Sequence, residues 1–104
     1  MALTEMTFFQ RFEEDILAGK KTITIRDEAE KDFAIGSTVQ VVTYEDNRWF
    51  CQLKIDAVTP IHFDELTELH AQQENMTLAQ LQQVIKEIYP NTDTFYVINY
   101  SLVA

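Results

Sequence analysis

Residues 18–26 read Ala18-Gly19-Lys20-Lys21-Thr22-Ile23-Thr24-Ile25-Arg26. The β-branched run from Thr22 to Arg26 suits an extended strand. The glycine ahead of it accepts the left-handed backbone that ends a helix. The stretch therefore marks a helix–turn–strand junction. It also concentrates charge, because Lys20, Lys21 and Arg26 are three of only eight basic residues, set against 17 acidic ones. Scarce cations clustered beside the hydroxyls of Thr22 and Thr24 point to a site. Lys21 is the candidate base, since neighbouring cations and partial burial both favour the neutral amine. Thr24 is the candidate nucleophile, inert until a base takes its proton. In a regular strand Thr24 and Arg26 share one face and Lys21 points to the other. Lys21 can serve Thr24 only if the chain bends at Lys21.

Upstream, Thr7-Phe8-Phe9-Gln10 has the spacing of a capping box. Phe8, Phe9, Phe12, Ile16 and Leu17 then fall on one helical face that Gly19 closes. Downstream, Asp27–Asp32 reads as a loop, and Phe33–Ser37 as a turn before a strand over Thr38–Tyr44. Asp46-Asn47 supplies a hairpin. The returning strand starts at Arg48, with Trp49, Cys51, Leu53 and Ile55 on one side, and Pro60 ends it. A helix is expected from Asp64 to about Gln73. A better marked one follows, with Thr77 and Gln80 as capping box and Leu78, Leu81, Val84, Ile85 and Ile88 as buried face. Pro90 and Asn91 close it. Phe95–Val103 is apolar on both faces and belongs inside the sheet. Short strands outnumber helices, which implies an α+β fold, a small barrel or curled sheet with peripheral helices.

The 104 residues fit one domain, with 46% hydrophobic and 24% charged residues. A formal net charge of −9 argues against gripping long nucleic acid, although one nucleoside can still be held locally. The single cysteine, Cys51, excludes an intramolecular disulfide and reads as a buried core thiol. The start, Met-Ala-Leu-Thr-Glu-Met, lacks the pattern of a secretion signal, and no apolar run is long enough to cross a bilayer, so the cytoplasm is the expected compartment. Glu74, at the joint between the two later helices, is a surface carboxylate or, if buried, a proton donor. His70 and Glu74 have metal-ligand spacing but no third ligand, and the His-x-Glu with Pro-Cys-x-x-Cys signature of zinc deaminases is absent. Trp49, Phe50, Tyr96 and Tyr100 either stack on a base or pack the core.

Gly19-x-Lys21, followed after four residues by Arg26, resembles the motif of the ASCH superfamily, relatives of the PUA RNA-binding fold. Thr7-Phe8-Phe9-Gln10-Arg11-Phe12, Lys21–Glu28, His70-Ala71, Gln73–Leu78 and Phe95–Ile98 extend the likeness to the small bacterial N4-acetylcytidine amidohydrolases of the YqfB type. The resemblance covers nearly the whole chain. It implies a single ASCH domain over residues 1–104, folded as a small PUA-like β-barrel with peripheral α-helices. It further implies hydrolysis of the acetyl amide of N4-acetylcytidine to cytidine and acetate. The family's catalytic lysine, threonine and glutamate fall on Lys21, Thr24 and Glu74, as general base, nucleophile and proton donor. Arg26, on the Thr24 face, is a candidate to bind substrate or its oxyanion. With base, nucleophile and acid all supplied, no metal or organic cofactor is required. The expected partner is a small nucleoside, with no membrane and no long nucleic acid. The rival reading is a PUA-like module that holds RNA or a modified nucleoside without turnover.

Overall fold

In the computed structural model, which describes residues 3–103, Gly19 takes φ +74°. It turns the chain from helix α1 (Glu13–Leu17) into strand β2 (Ile23–Arg26). No atom lies within 4 Å of where a Cβ would stand at this glycine. Gly19→Ala is therefore expected to cost the backbone strain alone, about 1 kcal/mol, read from the urea midpoint. Met1 and Ala2, part of the stretch read above as lacking a secretion signal, lie outside the described residues, as does Ala104. No helix among the described residues is long and apolar enough to cross a membrane.

The remaining elements are β1 (Glu5–Phe8), β3 (Thr38–Thr43), β4 (Trp49–His62), α2 (Glu68–Gln73), α3 (Leu78–Ile88) and β5 (Thr94–Leu102). The strands form one sheet in the order β1-β3-β4-β5-β2. β1 runs parallel to β3 and every other pair is antiparallel. β5 lies between β4 and β2, the interior place its apolar run requires.

Alternation along β2 and β5 divides the core in two. Ile23, Ile25, Phe95 and Val97 join Leu66, Ala71, Leu81 and Ile85 beneath α2 and α3. Ile98 and Tyr100 face the other way, with Met6, Phe8, Val39, Val41, Cys51 and Leu53. Thr24 and Arg26 point to this second side, as strand parity requires.

The α+β class holds, but the sheet does not close into a barrel, because hydrogen bonding leaves β1 and β2 as its two edges. Flat, a five-stranded sheet would hold those edges about 19 Å apart. Yet Arg26 Nη2 on β2 donates to the Thr7 carbonyl on β1 at 2.6 Å. The sheet therefore curls until one side chain spans its open seam.

Four local expectations are corrected. Thr7 caps no helix, because Glu5–Phe8 is a strand with Met6 and Phe8 buried at period two. Pro60 does not end β4, which continues to His62. Beyond Ile55 that strand pairs with β5 alone, so a residue without an N–H fits on its free side. Trp49 does not line up inward with Cys51, Leu53 and Ile55; it is 51% exposed. A register shift between Val41 and Val42 breaks the alternation there. The helix expected from Asp64 is a single tight turn, Phe63–Glu65, followed by α2 from Glu68. The Thr77–Gln80 capping box forms as expected, each side chain meeting the other residue's backbone N–H.

Candidate active site

Lys21 lies two residues before Ile23, the first paired residue of β2, so no regular strand runs through it. Its backbone N–H donates to the Asp15 carbonyl at 3.1 Å, which holds it against the end of α1. Its own carbonyl accepts the Tyr100 hydroxyl at 3.0 Å. Burial pushes the Tyr100 phenol well above its ordinary pKa, so this group remains a donor. Tyr100→Phe is expected to cost about 1 kcal/mol in urea unfolding, by leaving a buried carbonyl without its donor.

From this turn the Lys21 side chain runs inward and is only 3% exposed. Its Nζ stands 5.6 Å from the Phe8 ring centre and 5.1 Å from that of Phe12. It donates to the Ile23 carbonyl at 2.9 Å and to Glu74 Oε1. Burial is the largest influence on the amine and lowers its pKa. Glu74 opposes that through its charge and hydrogen bond, while Arg26 adds to the lowering.

Glu74 caps the C-terminal end of α2 and is buried. A hydrogen bond from the Thr22 N–H to the Gln73 carbonyl, 2.7 Å, ties this helix end to the start of β2. Two residues 53 positions apart are thus brought together by adjacent backbone contacts. His70 does not join Glu74 as a metal pair. Its Nδ1 accepts the Thr67 N–H at 3.1 Å, while Glu74 turns inward to Lys21.

Thr24 is 5% exposed, and its Oγ1 accepts a hydrogen bond from Arg26 Nε at 2.9 Å. Lys21 Nζ has no hydrogen bond to Thr24 in this state. Arg26 also donates to Glu30 through Nη1, at 2.8 Å, and lies over the Phe8 ring with 4.8 Å to its centre. Its nitrogens are thus engaged by the protein at three points, Thr24, Glu30 and Thr7.

Lys21, Thr24, Arg26 and Glu74 line one cleft at the seam between β1 and β2. Its apolar walls come from Phe8, Phe9 and Phe12 on one side and Val84, Ile85 and Ile88 of α3 on another. Thr7, Ile25, Tyr44, Tyr89 and Glu30 complete it. The aromatic residues singled out from the sequence do not line it. Trp49 is exposed on β4, Tyr100 is buried beneath, and Tyr96 donates its hydroxyl to Glu28. Cys51 is fully buried, as expected, and burial raises its thiol to about 11. Sequence reasoning missed Glu30 and Tyr89. Glu30 had a signal, its spacing of four from Arg26. Tyr89 had a weaker one, as the next residue after Leu81 and Ile85 on the same helical stripe.

Residues 4–100 match the family model described as the ASCH domain. A protein of Vibrio vulnificus (strain YJ016) named N(4)-acetylcytidine amidohydrolase is 66% identical over 102 residues, 98% of both chains. One of Pasteurella multocida (strain Pm70) with the same name is 57% identical over 103 residues, 99% of both. Among solved structures, an ASCH domain from Lactobacillus crispatus JV V101 superposes with a TM-score of 0.77. At 14% identity, covering 97% of this chain and 80% of that one, it shares the fold.

Proposed function

The chain belongs to the ASCH domain family, and on that footing we propose that it is an amidohydrolase that removes the acetyl group of N4-acetylcytidine. Thr24 is the nucleophile, Lys21 the general base and Glu74 the proton donor. The family relatives that carry this name align with nearly the whole chain. The observation that carries the assignment is chemical. A buried amine and a buried carboxylate are in contact within the cleft that also holds a buried hydroxyl.

Lys21 and Glu74 can exchange one proton with no change in their summed charge. The exchanged form is a neutral amine and a carboxylic acid, the states required of a base and an acid. Burial favours the neutral form of the Lys21 amine. The Lys21 amine then turns from Glu74 to Thr24 Oγ1 and takes its proton. Arg26 Nε already donates to that oxygen, so it stabilises the negative charge developing there. Arg26 thus acts on the nucleophile as well as at the edge of the substrate space.

The Thr24 oxygen attacks the acetyl carbonyl carbon. The C–N4 bond breaks as Glu74 gives its proton to N4, and cytidine leaves as a neutral amine. Water next attacks the acetyl-threonine ester, with Glu74 accepting a proton from it. Lys21 returns a proton to the Thr24 oxygen as acetic acid departs, which ionises to acetate in water. Amine, acid and hydroxyl are then restored. The substrate is a small nucleoside, in keeping with a chain of net charge −9.

Incubation of the purified protein with N4-acetylcytidine is expected to release cytidine and acetate in equal amounts. Binding of the nucleoside without any release would instead select a PUA-like binding module.

A further inference from the structure

Resting on the amidohydrolase reading, we infer that this cleft selects uncharged substrates, nucleoside or free base, against their phosphorylated forms, and that Glu30 sets the selectivity. The two basic residues lining the cleft are Lys21 and Arg26, and the two acidic ones are Glu30 and Glu74. Each cation is already matched, Lys21 by Glu74 and Arg26 by Glu30. The buried pair sits deep, and a phosphate there would have to displace Glu74 from Lys21. The outer pair is the one an entering phosphate meets.

Glu30 is held at that outer pair from two sides. One oxygen accepts Arg26 Nη1 at 2.8 Å and the other accepts the Tyr89 hydroxyl at 3.1 Å. Its side chain is 43% exposed, so the carboxylate faces both the guanidinium and solvent. Arg26 is meanwhile fixed from behind by Thr24 and the Thr7 carbonyl. A phosphate seeking Arg26 must therefore evict a carboxylate with two hydrogen bonds of its own. Arg11 stands over the rings of Phe9 and Phe12, two of the cleft's wall residues, at 5.4 and 4.9 Å. It lines an adjoining groove together with Asp15 and Glu87, which again leaves no positive excess. The chain's net charge of −9 adds a long-range repulsion. Seven apolar side chains make up most of the remaining wall, which suits a flat neutral ring.

The test compares N4-acetylcytidine with its 5′-monophosphate, by kcat/KM and by direct binding in NMR titration, at low salt and at high salt. The parent protein is expected to favour the nucleoside by about 100-fold at low salt, with the gap closing as ions screen the repulsion. Glu30→Gln removes the charge but keeps a hydrogen-bonding side chain. It is expected to narrow the gap by about tenfold, through improved handling of the phosphate. Tyr89→Phe removes one of the two hydrogen bonds that hold Glu30 but no charge, and is expected to narrow the gap by less than Glu30→Gln does. Equal or better use of the monophosphate by the parent, or an unchanged ratio in Glu30→Gln, overturns the inference while hydrolysis stands. If the nucleoside binds more tightly than its phosphate and neither is hydrolysed, the selectivity stands and the amidohydrolase assignment falls. If neither binds, both fall.

Discussion

Thr24→Val is expected to lower kcat for cytidine release by about 10³-fold or more, because the proposed acyl ester forms on the hydroxyl that valine lacks. Valine keeps the shape of threonine at this buried position and deletes the hydroxyl. Arg26 loses one of its three anchors but keeps Glu30 and the Thr7 carbonyl across the seam. The stability loss is expected to be about 1–3 kcal/mol, the cost of one buried donor left without its acceptor. Circular dichroism and urea unfolding of the same sample separate that loss from the loss of turnover. Thr24→Ser retains the hydroxyl and is expected to keep activity within about 100-fold of the parent. A Thr24→Val protein with undiminished turnover would transfer the attack to water or to Lys21.

The second large effect concerns stability. Lys21→Met leaves Glu74 buried without its cation, and Glu74→Leu leaves the Lys21 ammonium among Phe8 and Phe12 without its anion. Each single change is expected to cost about 3–5 kcal/mol, since breaking a buried ion pair strands one charge in a medium that solvates it poorly. The double variant strands neither. It replaces the pair with two apolar side chains and is expected to be more stable than either single variant, with a coupling of about 2–3 kcal/mol in a urea double-mutant cycle. It is also expected to be inactive. Additive losses would mean that the two groups do not depend on one another in the folded protein.

Much of the site was legible because its main strand is short and local. Gly19, Lys21, Thr24 and Arg26 lie within eight residues, and glycine chemistry with strand parity sets the turn at Gly19 and the shared face of Thr24 and Arg26. What parity could not supply was the bend at Lys21. There the chain is held by the Asp15 carbonyl six residues back and by the Tyr100 hydroxyl, which lies 79 residues on. β1 was misread for a related reason. Thr7-x-x-Gln10 satisfies a local helix-start pattern, while the parallel partner that makes Glu5–Phe8 a strand lies 35 residues downstream. Pro60 and Trp49 deceived in opposite ways. Proline is tolerated where β4 has one neighbour, and alternation fails where a register shift interrupts it. The cleft walls were the least visible part. Phe9, Tyr44 and the Ile88-Tyr89 end of α3 come from separate segments and meet only where the curled sheet fails to close.

Peptide mapping of the enzyme, acid-quenched during turnover of excess N4-acetylcytidine, tests the central claim most directly. An acetyl group on Thr24 is the expected result. An acetyl group on Lys21 instead, or a protein unmodified at every quench time while cytidine accumulates, would contradict it.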